Sequence, residues 1–190
     1  MKRQSLTIAL IILGICTLGV ISAAAQDVFK VNYFANNAAP APHAAVRVTN
    51  PGTSNGNLCA MVYVFDNDQQ MSECCGCITT PDGLRTFDVR TNLTTNPLTG
   101  VVSNNGDIKI VAAAVNNSPC DPTANVHHTP TLRAWGTHIQ NVVGTAYPIT
   151  ETEFSNATLS AGELASLQAD CYFANRLGSG RGICSCGTGD

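Results

Sequence analysis

"LCAMVYVFDNDQQMSECCGCITT", residues 58–80, opens with the strongest β-forming run in the chain and closes on Cys74, Cys75 and Cys77. Val, Tyr and Phe crowd its first part, and such side chains pack best on a pleated surface. The polar "DNDQQ" that follows reads as a bend, because Asp and Asn side chains bond their own backbone in tight turns. Strand, bend and returning segment predict a β-hairpin. A bend at 66–68 sets Cys59 opposite Cys75, and a shift of one residue in register sets it opposite Cys74 instead. The stretch therefore predicts a bridge from Cys59 to Cys74 or Cys75. The other two cysteines of the cluster must reach further, to Cys120 or to the C-terminal tail.

What such a cluster does depends on its compartment. The chain begins "MKRQSLTIALIILGICTLGVISAAAQ". Lys2 and Arg3 form a positive start, 6–21 is an apolar run, and Ala23 to Ala25 supply small residues before Gln26. This predicts a secretory signal peptide over 1–25. The apolar run is shorter than the ~20 residues of a spanning helix, so no stable membrane span is expected after cleavage. Cys16 leaves with the signal. Eight cysteines remain: Cys59, Cys74, Cys75, Cys77, Cys120, Cys171, Cys184 and Cys186. An even number in an oxidising destination predicts four disulfides. A zinc reading would combine Cys74-x-x-Cys77 with Cys184-x-Cys186, but it leaves four other cysteines without partners. A redox reading of Cys74-x-x-Cys77 lacks the βαβ context it needs. No cofactor is expected.

The mature chain reads as one domain. "DVFKVNYF" (27–34) alternates, with Phe29, Val31 and Tyr33 on one side, and predicts a strand. The Ala/Pro-rich "ANNAAPAPHAA" after it reads as a semi-rigid spacer that holds this strand away from the rest. Residues 26–44 are thus an N-terminal strand and linker, and 45–190 the main domain. Further strands are expected at 45–50, 58–66, 84–89, 108–115, 131–139 and 149–154. Asn105-Gly106 is a strong two-residue hairpin signal. Short strands separated by turns predict an antiparallel, immunoglobulin-like β-sandwich. One helix stands out in "LSAGELASLQADCYFANRLG" (159–178). Ser160 and Glu163 form a capping box, Leu164, Leu167, Cys171 and Ala174 share a face, and Gly178 is a ready stop. The fold class expected is mainly β, with one C-terminal α-helix and a tail whose Cys184 or Cys186 reaches Cys171.

Removing Lys2 and Arg3 leaves eight basic against thirteen acidic residues, a net charge of −5. Without a basic patch, nucleic acid is not an expected partner. Charged residues are only 12% of the chain, about half the usual share, and a surface so sparsely charged is poorly protected against self-association.

Candidate sites are few. Asp66, Asp68 and Gln70 offer calcium-like oxygen ligands at alternate positions, but the loop lacks the Gly and distal Glu of an EF-hand, and a plain Asp/Asn turn is preferred. His127, His128 and His138 could form a histidine metal set, but they read first as solvated loop histidines. Trp135, the only Trp, reads as a core residue before it reads as a sugar-stacking one. Asp88, Glu151 and Glu153 are the acids that glycoside hydrolysis could recruit, yet nothing in the spacing pairs them. Asn92, Asn116 and Asn156 each begin a glycosylation sequon.

"CAMVYVFDNDQQMSECCGC", "TPDGL", "PLTG", "LRAWGTH", "SNATLS" and "GICSC" together resemble a group of secreted, cysteine-rich bacterial proteins without an assigned activity. The likeness spans about Arg47 to Gly187 and implies secretion and a disulfide-bonded β domain. The functional expectation is a secreted, non-enzymatic structural protein of the extracellular space or cell surface. It would self-associate into an oligomer or a pilus-like filament by donating its first strand. The alternatives are a carbohydrate- or ligand-binding module that uses Trp135 with Tyr33, Tyr63, Tyr147 or Tyr172, and a secreted hydrolase.

Overall fold

The computed structural model describes residues 28–54, 56–95, 101–115, 119–124, 129, 132–176 and 184–187. The signal-peptide stretch, His127, His128, Asn116 and Gly178 lie outside them. The strands are β1 (Val28–Phe34), β2 (Ala45–Thr49), β3 (Leu58–Asp66), β4 (Met71–Thr79), β5 (Leu84–Asp88), β6 (Gly106–Ala114), β7 (Arg133–Ile139), β8 (Ile149–Glu153) and β9 (Ser155–Thr158), followed by α1 (Ala161–Arg176). They form a five-stranded sheet, β4-β3-β6-β1-β9, and a four-stranded sheet, β5-β2-β7-β8. Every pairing is antiparallel.

β3 explains the layering. Ala60, Val62 and Val64 join the core between the two sheets. Cys59, Met61 and Tyr63 face the other way, into a second cluster completed by Leu167 and Cys171 of α1. A strand covered on both faces reads as a continuous apolar run, not an alternating one, and that is the look of 58–65. The architecture is therefore mainly β: two packed antiparallel sheets with one helix on the outer face of the larger.

The β3–β4 hairpin departs from the expected register. Asp66 N–H donates to the Gln70 carbonyl at 3.0 Å, and a bulge between Val64 and Phe65 shifts the pairing. Cys75 lies opposite Val62, and Cys59 opposite Ile78. Cys59 shares a face with Cys74, which pairs with Tyr63 four residues along β3. That offset is about 13 Å at the rise of a strand, beyond the ~7 Å Cα limit of a disulfide. The expected bridge from Cys59 to Cys74 or Cys75 does not form.

The bridges are Cys59–Cys120, Cys74–Cys171, Cys75–Cys184 and Cys77–Cys186. Alternation along β4 sorts them. Cys74 points to the helix and takes Cys171, so Cys184 and Cys186 do not reach Cys171 as expected. Cys75 and Cys77 point into the inter-sheet core and take the tail. Gly76 lies between them because the Cys120 carbonyl crosses it so closely that any Cβ would collide.

Three further expectations give way. Asn105-Gly106 does not turn a hairpin: Gly106 begins β6, whose partners are β1 and β3. Gly is required because the Phe65 carbonyl sits where its Cβ would be. Ser160 caps α1, with its Oγ 3.0 Å from the Glu163 N–H. Glu163 does not return the bond, and its carboxylate goes to Lys109 at 2.6 Å. Finally, 35–44 is not a spacer holding β1 away. It crosses from one sheet to the other, with Asn37, Ala41 and Ala44 buried.

The two sheets are joined along both long sides of the sandwich. On one, the tail lies between β4 and β5. Cys184 N–H donates to the Cys74 carbonyl and Ser185 N–H to that of Asn92, at 3.1 and 3.0 Å. Arg85 spans the same gap, donating to the Ile78 and Cys186 carbonyls. On the other side the chain changes sheet at Phe154, whose buried ring marks the step from β8 to β9.

Candidate functional site at the N-terminal strand

β1 is an inner strand. Lys30 to Phe34 pair with Ile110 to Gly106 of β6, and Val28 to Val31 with Thr158 to Ser155 of β9. Its side chains do three different jobs. Phe29 and Val31 pack into the cluster under α1, and Phe34 is buried in the inter-sheet core. Tyr33 is half-exposed and stacks on His138 of β7 at 4.2 Å. The three residues expected as one apolar face therefore do not act as one.

The remaining contacts of β1 are polar. Lys30 is only 9% exposed, and its ammonium donates to Asn156 Oδ1 at 2.6 Å. Among the described residues no carboxylate lies within salt-bridge reach of it. Asn32 Nδ2 donates to the Thr152 carbonyl and hydroxyl at 3.5 and 3.3 Å. Gly136 opposite has no side chain, which leaves space for this amide. Thr152 Oγ1 also meets His138 Nε2 at 2.7 Å. His138 is buried, and burial lowers its pKa, so the ring is neutral in ordinary buffers. Its Nδ1 is enclosed without a partner.

The crossover after β1 is held as firmly. Asn36 donates to the Ile139 carbonyl at 2.7 Å, and Asn37 to Thr94 Oγ1 and the Ser103 carbonyl at 2.8 and 3.0 Å. Arg90 donates to the carbonyls of Asn37 and Ala41. Arg90 and Asn37 were not legible as partners, since each forms half of a contact between distant segments.

The other sequence-derived candidates are dispersed. Asp66 Oδ1 accepts from the N–H groups of Asp68 and Gln70 at 2.9 and 3.0 Å, so it closes the turn. Trp135 is not in the core: it is half-buried on the open face of the four-stranded sheet, with Arg133 over its ring at 5.0 Å. Tyr63 is buried and donates to the Pro122 carbonyl, and Tyr172 lies on α1 beside Arg176. These rings share no platform. The three candidate acids are each engaged by a basic side chain: Asp88 with the His43 ring at 2.6 Å, Glu151 with Arg47 at 2.5 Å, Glu153 with Arg133 at 2.9 Å. Asp88 also accepts from the Thr91 N–H and so starts the π-helical turn at Val89–Leu93. In the Asn92 sequon, Thr94 is buried and bonded to the Val89 carbonyl.

Sequence reasoning missed Glu73. It sits on β4 opposite Val64, is 1% exposed, and its Oε1 has no partner. Burial pushes its pKa up to about 7. Its alternation with Cys75 and Cys77 was the available signal, but it carries meaning only once the inward face of β4 is known.

Comparison with family models, with characterised proteins and with solved structures gives no match.

Proposed function

We propose that this chain is a secreted, non-enzymatic structural protein of the extracellular space or cell surface, whose copies associate by exchanging β1. The observation that carries the reading is the position of β1. It is the first strand among the described residues, it is bonded along both edges within the larger sheet, and a crossover at 35–44 carries the chain on to the other sheet. A β1 from a second copy offers the same slot the same residues, so exchange costs little at equilibrium and is a head-to-tail contact able to propagate. The dense disulfides suit an exposed, oxidising setting. That Asp88, Glu151 and Glu153 are each engaged by a basic side chain supports a structural over a hydrolytic role. The immunoglobulin-like character of the sandwich belongs to the same proposal and is supported by its strand lengths and two-sheet packing.

Deleting residues 27–34 tests the exchange. The full chain is expected to form higher-order species that the truncated chain loses, read by light scattering and electron microscopy. Equal assembly of the two rules out strand donation.

One observation favours a second reading, an extracellular binding module. Trp135 lies on a solvent-facing sheet among Arg47, Arg133, Glu151 and Glu153, whose charges cancel in pairs. A neutral glycan would suit such a face. Titration with soluble polysaccharides, with Trp135→Ala as control, checks it through indole fluorescence.

A further inference from the structure

The polar contact between the first and last strands has a chemistry of its own. Lys30 and Asn156 stand directly opposite each other in the β1–β9 register. Lysine is rarely buried without a carboxylate partner, yet Lys30 is 9% exposed and its ammonium meets only the side-chain amide of Asn156, at 2.6 Å. An amine held against an amide carbonyl inside a rigid sheet is a nucleophile held beside an electrophile. Fixed proximity of this kind replaces a bimolecular encounter and removes much of the barrier to reaction.

We propose that Lys30 and Asn156 condense into an isopeptide bond that joins β1 covalently to β9. Lys30 Nζ first gives one proton to water at the exposed Asn156 side, and its freed lone pair attacks Cγ of Asn156. The tetrahedral adduct passes a second lysine proton to Nδ2 and collapses with cleavage of the Cγ–Nδ2 bond, and the ammonia released takes the first proton back from water as ammonium. One ammonium side chain and one amide become one secondary amide and one ammonium ion, so atoms and charge balance without oxidant or cofactor. Asn156 is exposed, which leaves the departing group a path to water. Glu153, three residues before Asn156, is close enough for the charge of Lys30 to help hold its carboxylate below the usual range, after the larger effect of Arg133. The bond forms with whichever β1 fills the slot, the chain's own or a neighbour's, so the inference does not depend on strand exchange.

The test is the mass and peptide map of the full secreted chain. Denatured and unreduced, it is expected to weigh one ammonia less than the sequence with its four disulfides. Cyclisation of an N-terminal Gln26 would lose the same mass, so the position of the loss decides. The expected result is a branched peptide linking the Lys30 and Asn156 segments, absent in Lys30→Arg and in Asn156→Ala. Recovery of separate, unlinked Lys30 and Asn156 peptides from the wild-type protein overturns the proposal, as does a glycan on Asn156. The wild-type map distinguishes these outcomes even where a variant does not fold. On a reducing denaturing gel, a linked monomer places the bond within a chain and a ladder places it between copies. Either supports the bond, and the ladder also supports exchange.

Discussion

Glu73 is a carboxyl group buried on the inward face of β4, with an oxygen that nothing bonds. Its ordinary pKa of 4.5 rises to about 7 on folding because burial penalises the charged form. Below pH 4.5 both folded and unfolded chains hold the proton, and Glu73 costs nothing. Between 4.5 and about 7 only the folded chain holds it, so stability falls as pH rises. Above that range the folded state carries a buried charge. Glu73→Gln is therefore expected to stabilise the protein at pH 8 by about 2 kcal/mol and to have little effect at pH 4. Denaturant unfolding at the two pH values measures this. Equal effects at both would show that folding leaves the pKa of Glu73 unshifted. Glu73 was not legible in the sequence because its alternation with Cys75 and Cys77 does not say which face of β4 turns inward. Asp66 was legible, since an Asp at a bend satisfies local amides whatever the rest of the chain does.

At the scale of elements, the sequence placed most strands but not their partners. β3 and α1 were readable from local pattern: an apolar run in one case, Ser160 followed by Leu164, Leu167 and Cys171 in the other. The hairpin register was not, because the Val64/Phe65 bulge depends on how β3 and β4 twist against each other. Asn105-Gly106 misled for a related reason. Its glycine answers a close approach by β3, not a turn. The same slip in register decides the disulfides. Cys59–Cys120 ties the loop before β7 to the helix-side face of β3 and spans 61 residues. Replacing both cysteines with Ser is expected to cost about 4 kcal/mol on the loop-entropy scale. Tyr63, whose hydroxyl bonds Pro122 two residues beyond Cys120, should then gain exposure, visible in tyrosine fluorescence or proteolysis of that loop.

For the molecule as a whole, the cysteine cluster is a hub. One edge strand is bridged to the helix through one face and to the tail through the other. The tail in turn occupies the gap between β4 and β5, where unpaired backbone groups would otherwise invite another chain. Replacing Cys75, Cys77, Cys184 and Cys186 together with Ser should free that tail. Association at the exposed β4 edge is then expected to increase with concentration, read as a rising light-scattering mass. A variant that stays as monomeric as the parent would show that Arg85 and the tail's backbone bonds suffice alone. What the sequence by itself determined was local: strand-forming runs, the capped helix, the clustering of cysteines, and the sparse charge. Those follow from propensity and composition, which act within a few residues. Which cysteines meet, where β1 lies, that Glu73 is buried and that Lys30 faces Asn156 were decided only in the tertiary structure. Each is a contact between segments far apart in the chain, fixed by sheet register and by which face of a strand turns inward.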